Sequence, residues 1–245
     1  MGGEWFEERN MKKSAIEFCD IKLQNGVNMR ISIPSINQIR EIYLWKVYES
    51  LRAVKEGDIV IDIGASVGTF SLKAAHQKAA RIIAVEPHPE NFKMLNRNIE
   101  SNHLLCSIAG VQPIPIALGQ TSGEVKLYTS EYPGSHSIAG WIDPSKFIMV
   151  NMWTLDNLLD HLKISKVNFI KMDVEGAAHY VLQGATETLK QDLHLGIAVY
   201  HRDSERIGVL KILDENGFEY RGYTTFGEQT DKNFKFIQAW KGDVK

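Results

Sequence analysis

The chain has 245 residues, 44% hydrophobic and 24% charged, with 28 lysines and arginines against 30 acids and a formal charge of −2. That usage describes a globular protein of one large or two small domains and excludes disordered, collagen-like and coiled-coil chains. The near-neutral balance lacks the basic footprint of a duplex binder. No apolar run approaches the ~20 residues of a membrane span, and MGGEWFEERNMKK carries no signal-peptide stretch, so a soluble, cytoplasmic protein is expected.

From Ile16 to Ile33 apolar and polar residues alternate on either side of Asn25-Gly26, which predicts an opening β-hairpin. Between Ser35 and Val54 the period turns helical through Ile39, Ile42, Tyr43, Leu44, Val47 and Leu51. Residues 1–55 therefore read as an N-terminal hairpin and helix extension and a candidate lid, and residues 56–245 as the main domain. There, strands alternate with helices, the signature of βαβ units and a mostly parallel sheet. Strands are predicted at Ile59–Ile63, Arg81–Glu86, Val111–Ala117, Asn168–Asp173, His194–Tyr200, Phe218–Tyr223 and Phe234–Trp240. Helices are predicted at Gly68–Gln77, Pro89–Ser101, Thr154–Leu162, Gly176–Leu189 and Ser204–Asn216. No helix fits between the last two strands, so they form an antiparallel pair at the end of the sheet. Residues 124–150 interrupt the alternation as a hairpin insertion. Cys19 and Cys106 lack C-x-x-C spacing and read as structural thiols.

The strongest local signal is an apolar strand ending in Asp62 and followed by Gly64-Ala65-Ser66-Val67-Gly68, a turn that opens a helix. Such a crevice at the carboxyl end of a parallel sheet is where open α/β folds bind nucleotides. The middle glycine of G-x-G-x-x-G is absent, which disfavours a dinucleotide, and no G-x-x-x-x-G-K-[ST] run exists for a triphosphate. Glu86 ends the next strand, where a carboxylate accepts hydrogen bonds from ribose hydroxyls. An adenosine ligand without a pyrophosphate follows, and S-adenosylmethionine meets that description.

VIDIGASVGTF, AVEPHPENFKMLNRNI, PIPIALG, WTLDNLL and FIKMDVEGAAHYVLQGA together resemble the FkbM family of S-adenosylmethionine-dependent methyltransferases. The resemblance runs from about Glu41 to Gly217 and implies a Rossmann-like class I methyltransferase fold: a seven-stranded α/β sheet with its last strand antiparallel. It implies that Asp62, Gly64, Ala65, Ser66 and Gly68 line the methionine and ribose part of the cofactor. Glu86 would bind the ribose hydroxyls beside Pro87 and Asn91, Ala117 and Leu118 would lie near the adenine, and Asp173, Glu175 and Gly176 would stand at the reaction end. Two departures concern the base: Ala178 replaces the acid of D-V-E-G-A-E, and Val199-Tyr200-His201 replaces E-x-H.

If the acceptor is a hydroxyl, a base must reach its proton directly or through one water. His201 or Asp173 is the expected base, with Glu175 orienting its neighbours or capping the helix at Gly176. The same three residues would also suit magnesium or manganese, although no dedicated metal loop accompanies them. His136 reads as a surface residue or an acceptor contact on the insertion, and Tyr132, Trp141 and Trp153 as core packing or a stacking surface for a sugar. The expected function is O-methylation of a small molecule, sugar or lipid-linked glycan. A nucleic-acid methyltransferase is the alternative, made unattractive by Asp173-Val174-Glu175-Gly176 where a D/N-P-P-Y/F/W tetrad would stand; a non-catalytic S-adenosylmethionine-binding protein is another.

Overall fold

The computed structural model describes residues 17–131, 134–140 and 143–242. The chain opens with β1 (Phe18–Lys22) paired antiparallel to β2 (Asn28–Ser32); Ile16, where the predicted hairpin begins, lies outside the described residues. This hairpin is held by two asparagines of the third helix and of the residue after it. Asn98 and Asn102 each exchange a pair of hydrogen bonds with the backbone of Arg30 and Asn28 respectively, as a neighbouring strand would.

The predicted helix Ser35–Val54 is instead three short pieces: a 3-10 turn Ile33–Ser35, α1 (Ile36–Ile39) and a π-helical turn Arg40–Leu44. Lys46, at φ 49°, ends the helical path. Val47 and Tyr48 are then drawn into the core with Phe70, Phe169 and Phe236. Their burial requires the backbone of Tyr48 to lie against the sheet. A Cβ on Gly196 would stand 2.7 Å from the Tyr48 carbonyl oxygen, so only glycine permits that approach.

Next come β3 (Ile59–Ile63), α2 (Thr69–His76), β4 (Arg81–Val85), α3 (Pro89–Ser101), α4 (His103–Ile108), β5 (Val111–Ile114) and β6 (Ala117–Leu118). Helix α4 was not expected. The predicted strand Val111–Ala117 divides at Pro115: β5 is the sheet edge, the place where Pro113 is tolerated, and β6 joins a separate three-stranded sheet. That sheet contains β7 (Gly123–Tyr128) and β8 (Phe147–Trp153), which pair antiparallel across the expected insertion.

The chain continues through α5 (Leu155–His161), β9 (Phe169–Met172), α6 (Ala178–Gln183), a 3-10 turn Thr188–Lys190, β10 (His194–Ala198), α7 (Asp203–Glu215), β11 (Glu219–Tyr223) and β12 (Phe236–Trp240). Helix α6 stops well short of the predicted Leu189. The Asp156 carboxylate takes the amides of Glu187 and Thr188 and both threonine hydroxyls, which diverts the chain from helical pairing. The main sheet has seven strands in the order β11-β12-β10-β9-β3-β4-β5, and β12 runs antiparallel to both neighbours. Residues of α5, α6 and α7 cover one face. Residues of α2 and the segment around Val47 and Tyr48 cover the other. No helix among the described residues is long and apolar enough to cross a membrane.

Candidate active site

A cleft opens where β3, β4 and β9 end, at the carboxyl edge of the sheet. Gly64, Ser66, Glu86, Pro87, Asn91, Ala117, Leu118, Asp173 and Glu175 line it. Asp62, Ala65 and Gly68 do not; they form the layer beneath. Asp62 is fully buried, accepts Ser71 Oγ at 2.7 Å and pairs with Lys171 Nζ at 3.1 Å, while that amine also donates to the Gly64 carbonyl. Asp62 thus fixes the turn from below. Ala65 packs with Ala84 and Leu95, and Gly68 starts α2. Gly64 is required for a different reason from ligand access: a Cβ there would fall 1.9 Å from the Asp173 carbonyl oxygen.

Glu86 lines the cleft as a buried residue with its carboxylate held in place. Ser66 N–H donates to Oε2 and His88 N–H to Oε1, each at 2.8 Å. Burial is the largest influence on this group and lifts its pKa to about 7, against hydrogen bonds from His88, Ser66 and Asn91 that lower it. A carboxylate offers about four acceptor positions, so a side chain already holding these donors still has acceptor capacity turned to the cleft.

At the other end, Asp173, Glu175 and His201 converge as expected. His201 Nε2 lies 3.4 Å from Glu175 and 3.7 Å from Asp173, and Nδ1 lies 3.3 Å from Glu205. Burial alone would lower the imidazole, but the hydrogen bonds to Glu175 and Glu205 and the Asp173 charge outweigh it and raise the pKa to about 10. That balance favours the charged form of His201 among the three acids. Asp173 accepts the Tyr48 hydroxyl at 2.8 Å through Oδ2, and its buried Oδ1 has no hydrogen-bond partner among the described residues. Glu175 adopts φ 51°, a left-handed conformation uncommon for a residue with a side chain. Burial raises its pKa, as does the Asp173 charge, against His201. Ligand atoms of Asp173, Glu175 and His201 lie within 4.8 Å of one another, so the trio could also hold a metal ion.

Residues 62–220 match the methyltransferase FkbM domain. The chain belongs to the FkbM methyltransferase family. It is 24% identical over 217 residues to the hexuronic acid methyltransferase AglP of Haloferax volcanii, covering 84% of each chain. It is 26% identical over 166 residues to methyltransferase 1 of Beauveria bassiana, covering 59% of this chain and 65% of that one. A solved FkbM methyltransferase of Methylobacillus flagellatus superimposes with a TM-score of 0.58 at 16% identity, over 85% of this chain; this chain spans half of that one. The fold is thus the Rossmann-like class I methyltransferase fold.

His136, expected as a surface residue or an acceptor contact, lines the cleft and stacks on His88 at 3.8 Å between centroids, whereas Gln38 and Glu205 escaped sequence reasoning. Burial, followed by the His88 charge, lowers His136 to about 4, so its Nδ1 accepts the Ser130 amide as a neutral ring. The loop bearing His136 is tied down by Ser137, whose hydroxyl donates to the Glu175 carbonyl. Gln38 lines the cleft and reaches Ser66 Oγ at 3.4 Å. Glu205, fully buried, caps α6 through the Ala178 amide while facing His201. Only Glu205 left a trace in the sequence, four residues beyond His201. Trp153 packs against the core and His161; Tyr132 and Trp141 lie outside the described residues.

Proposed function

We propose that this chain methylates a hydroxyl group on a small-molecule, sugar or lipid-linked glycan acceptor, with S-adenosylmethionine as the donor and S-adenosylhomocysteine as the product. Glu86 carries the reading: a carboxylate at the end of β4, oriented by two backbone amides and facing a cleft, is built to accept a ribose diol. Ile116, Ala117 and Leu118 offer an apolar wall for the adenine, and Gly64 and Ser66 a place for the methionine part. The bound donor would supply a methyl group made electrophilic by its sulfonium charge. The chain's own task is then to align the acceptor and remove its proton. Asp173 and Glu175 at the reaction end suit a hydroxyl. The relative that methylates hexuronic acid favours a sugar acid among the acceptors. The charge balance and Asp173-Val174-Glu175-Gly176 speak against nucleic acid, for which strongly salt-dependent binding would be the sign.

The test is calorimetry of S-adenosylmethionine and S-adenosylhomocysteine with excess chelator, on wild type and Glu86→Gln. Both ligands are expected to bind wild type, and Glu86→Gln to bind roughly 10–100-fold more weakly, the worth of hydrogen bonds to a charged group. Absence of binding by folded wild type overturns the cofactor. Methyl transfer that vanishes with chelator and returns with magnesium or manganese would make the acidic trio a metal site.

A further inference from the structure

Tyr48 stands outside residues 62–220, the part of the chain that matches the FkbM domain, yet its hydroxyl reaches the reaction end. It donates to Asp173 Oδ2 at 2.8 Å, across 125 residues of sequence. Phe236 and Phe70 meet its ring edge to face, at 5.3 and 6.1 Å between centroids, and Lys171 Nζ lies 5.6 Å from the ring centre. The backbone is fixed as well. Gly196 leaves room for the Tyr48 carbonyl, and Gln238 of β12 accepts the Leu51 amide and donates to the Val47 carbonyl. A phenol ring locked by packing in this way gives its hydroxyl a set direction.

Asp173 is the most open member of the cluster. Its side chain is 20% exposed, against 15% for Glu175 and 3% for His201, and it lines the cleft. Its main chain is pinned by the bond from its amide to the Ile63 carbonyl. The carboxylate itself has two torsions, and the nearest cation able to draw it away is His201, whose Nε2 lies 3.7 Å from Oδ1. Closing that gap would commit the carboxylate to the imidazole. The Tyr48 hydroxyl, holding the other oxygen, opposes that rotation. A carboxylate offers about four acceptor positions, so one phenol leaves capacity for a further proton.

We propose that Tyr48 is a positioning residue for methyl transfer: its hydroxyl keeps the Asp173 carboxylate off His201 and turned to the cleft, where that carboxylate takes the proton of the acceptor hydroxyl. The inference rests on the O-methylation reading above. As the acceptor oxygen bonds to the methyl carbon, the carbon–sulfur bond breaks with its electron pair left on sulfur, which cancels the sulfonium charge. The hydroxyl proton passes to an Asp173 carboxylate oxygen, which becomes a neutral acid, so charge and atoms balance. Tyr48 transfers no proton. Burial and the Asp173 charge hold its phenol well above the ordinary range, so it remains a donor throughout.

A double-mutant cycle tests the assignment, with labelled S-adenosylmethionine as donor and methyl glucuronoside as acceptor probe. Tyr48→Phe keeps the ring and removes the hydroxyl. It is expected to lower kcat roughly 10–100-fold while calorimetric affinity for S-adenosylmethionine stays within about twofold. Asp173→Asn is expected to lower kcat roughly 10²–10⁴-fold. Adding Tyr48→Phe to it should cost less than about twofold more, because residues that act as a unit are not additive. Unchanged kcat in Tyr48→Phe, or full additivity, overturns the proposal. A second readout needs no acceptor. In protein labelled with 13C at the tyrosine Cζ, the hydroxyl proton signal missing from Tyr48→Phe identifies Tyr48, and it is expected to move in Asp173→Asn. A signal at the same position in wild type and Asp173→Asn overturns the proposal. If wild type binds the donor but leaves the probe unmethylated, the acceptor choice has failed and the hydroxyl signal decides Tyr48. If wild type does not bind the donor, the O-methylation reading itself falls, and the positioning proposal falls with it.

Discussion

In the proposed binding mode, where Glu86 accepts the ribose diol, its pKa, raised to about 7 by burial, makes cofactor binding pH-dependent with a fixed sign. Ribose hydroxyls donating to the carboxylate favour its charged form, so the bound-state pKa lies below the free one, and binding must expel a proton below pH 7. Affinity for S-adenosylmethionine is expected to rise between pH 5.5 and 7.5 in calorimetry and then level off. Glu86→Gln should flatten that rise. At Gly64, Ala would put a methyl group into the Asp173 carbonyl at φ 73°. The expected loss is about 3 kcal/mol or more in denaturant unfolding, because the clash is with backbone and the conformation is itself disfavoured. The position of Glu86 and the glycine turn was readable because strand, turn and helix are adjacent in sequence. Tyr48 and Asp173 are 125 residues apart, and no periodicity records that meeting. The charge on His201 was equally hidden, since it arises from Glu175, Glu205 and Asp173 together.

Among the elements, α3 was legible from Pro89 to Ser101 because proline at its first turn and an apolar stripe agree. The segment after β2 was not, although its apolar spacing is helical. Val47 and Tyr48 gain more by burial against Phe70 and Phe236 than by continuing the helix. The position of this segment depends on Lys73 of α2, whose buried amine pairs with Glu49 and donates to the Ile42 carbonyl. Lys73→Met strands the Glu49 carboxylate and is expected to cost about 3–5 kcal/mol. Adding Glu49→Gln should recover most of it, as urea unfolding would show.

For the whole molecule, the folded chain keeps protons on several groups that the unfolded chain releases. Glu41 and Glu86, raised to about 7, give stability that is full below about 4.5 and lost as pH rises through 7. His201, raised to about 10, gives stability that is full below about 6.5 and lost through 10. His136 and His194, lowered to about 4, act oppositely as pH falls from 6.5. The difference in thermal midpoint between wild type and His201→Asn should therefore shrink as pH rises from 7 to 9.

Gln238 in β12 accepts the Leu51 amide and donates to the Val47 carbonyl, so the late strand β12 holds the segment that carries Glu41 and Tyr48. Ribosomes release a chain from its N-terminus at roughly 5–20 residues per second. The Glu86 side of the cleft, made of β3, β4 and the loops after them, is complete in the growing polypeptide well before residue 238 emerges. Tyr48, among the earliest of the described groups to be synthesised, is among the last to be fixed, so a nascent chain holds the Glu86 side of the cleft before the hydroxyl that donates to Asp173 is in place.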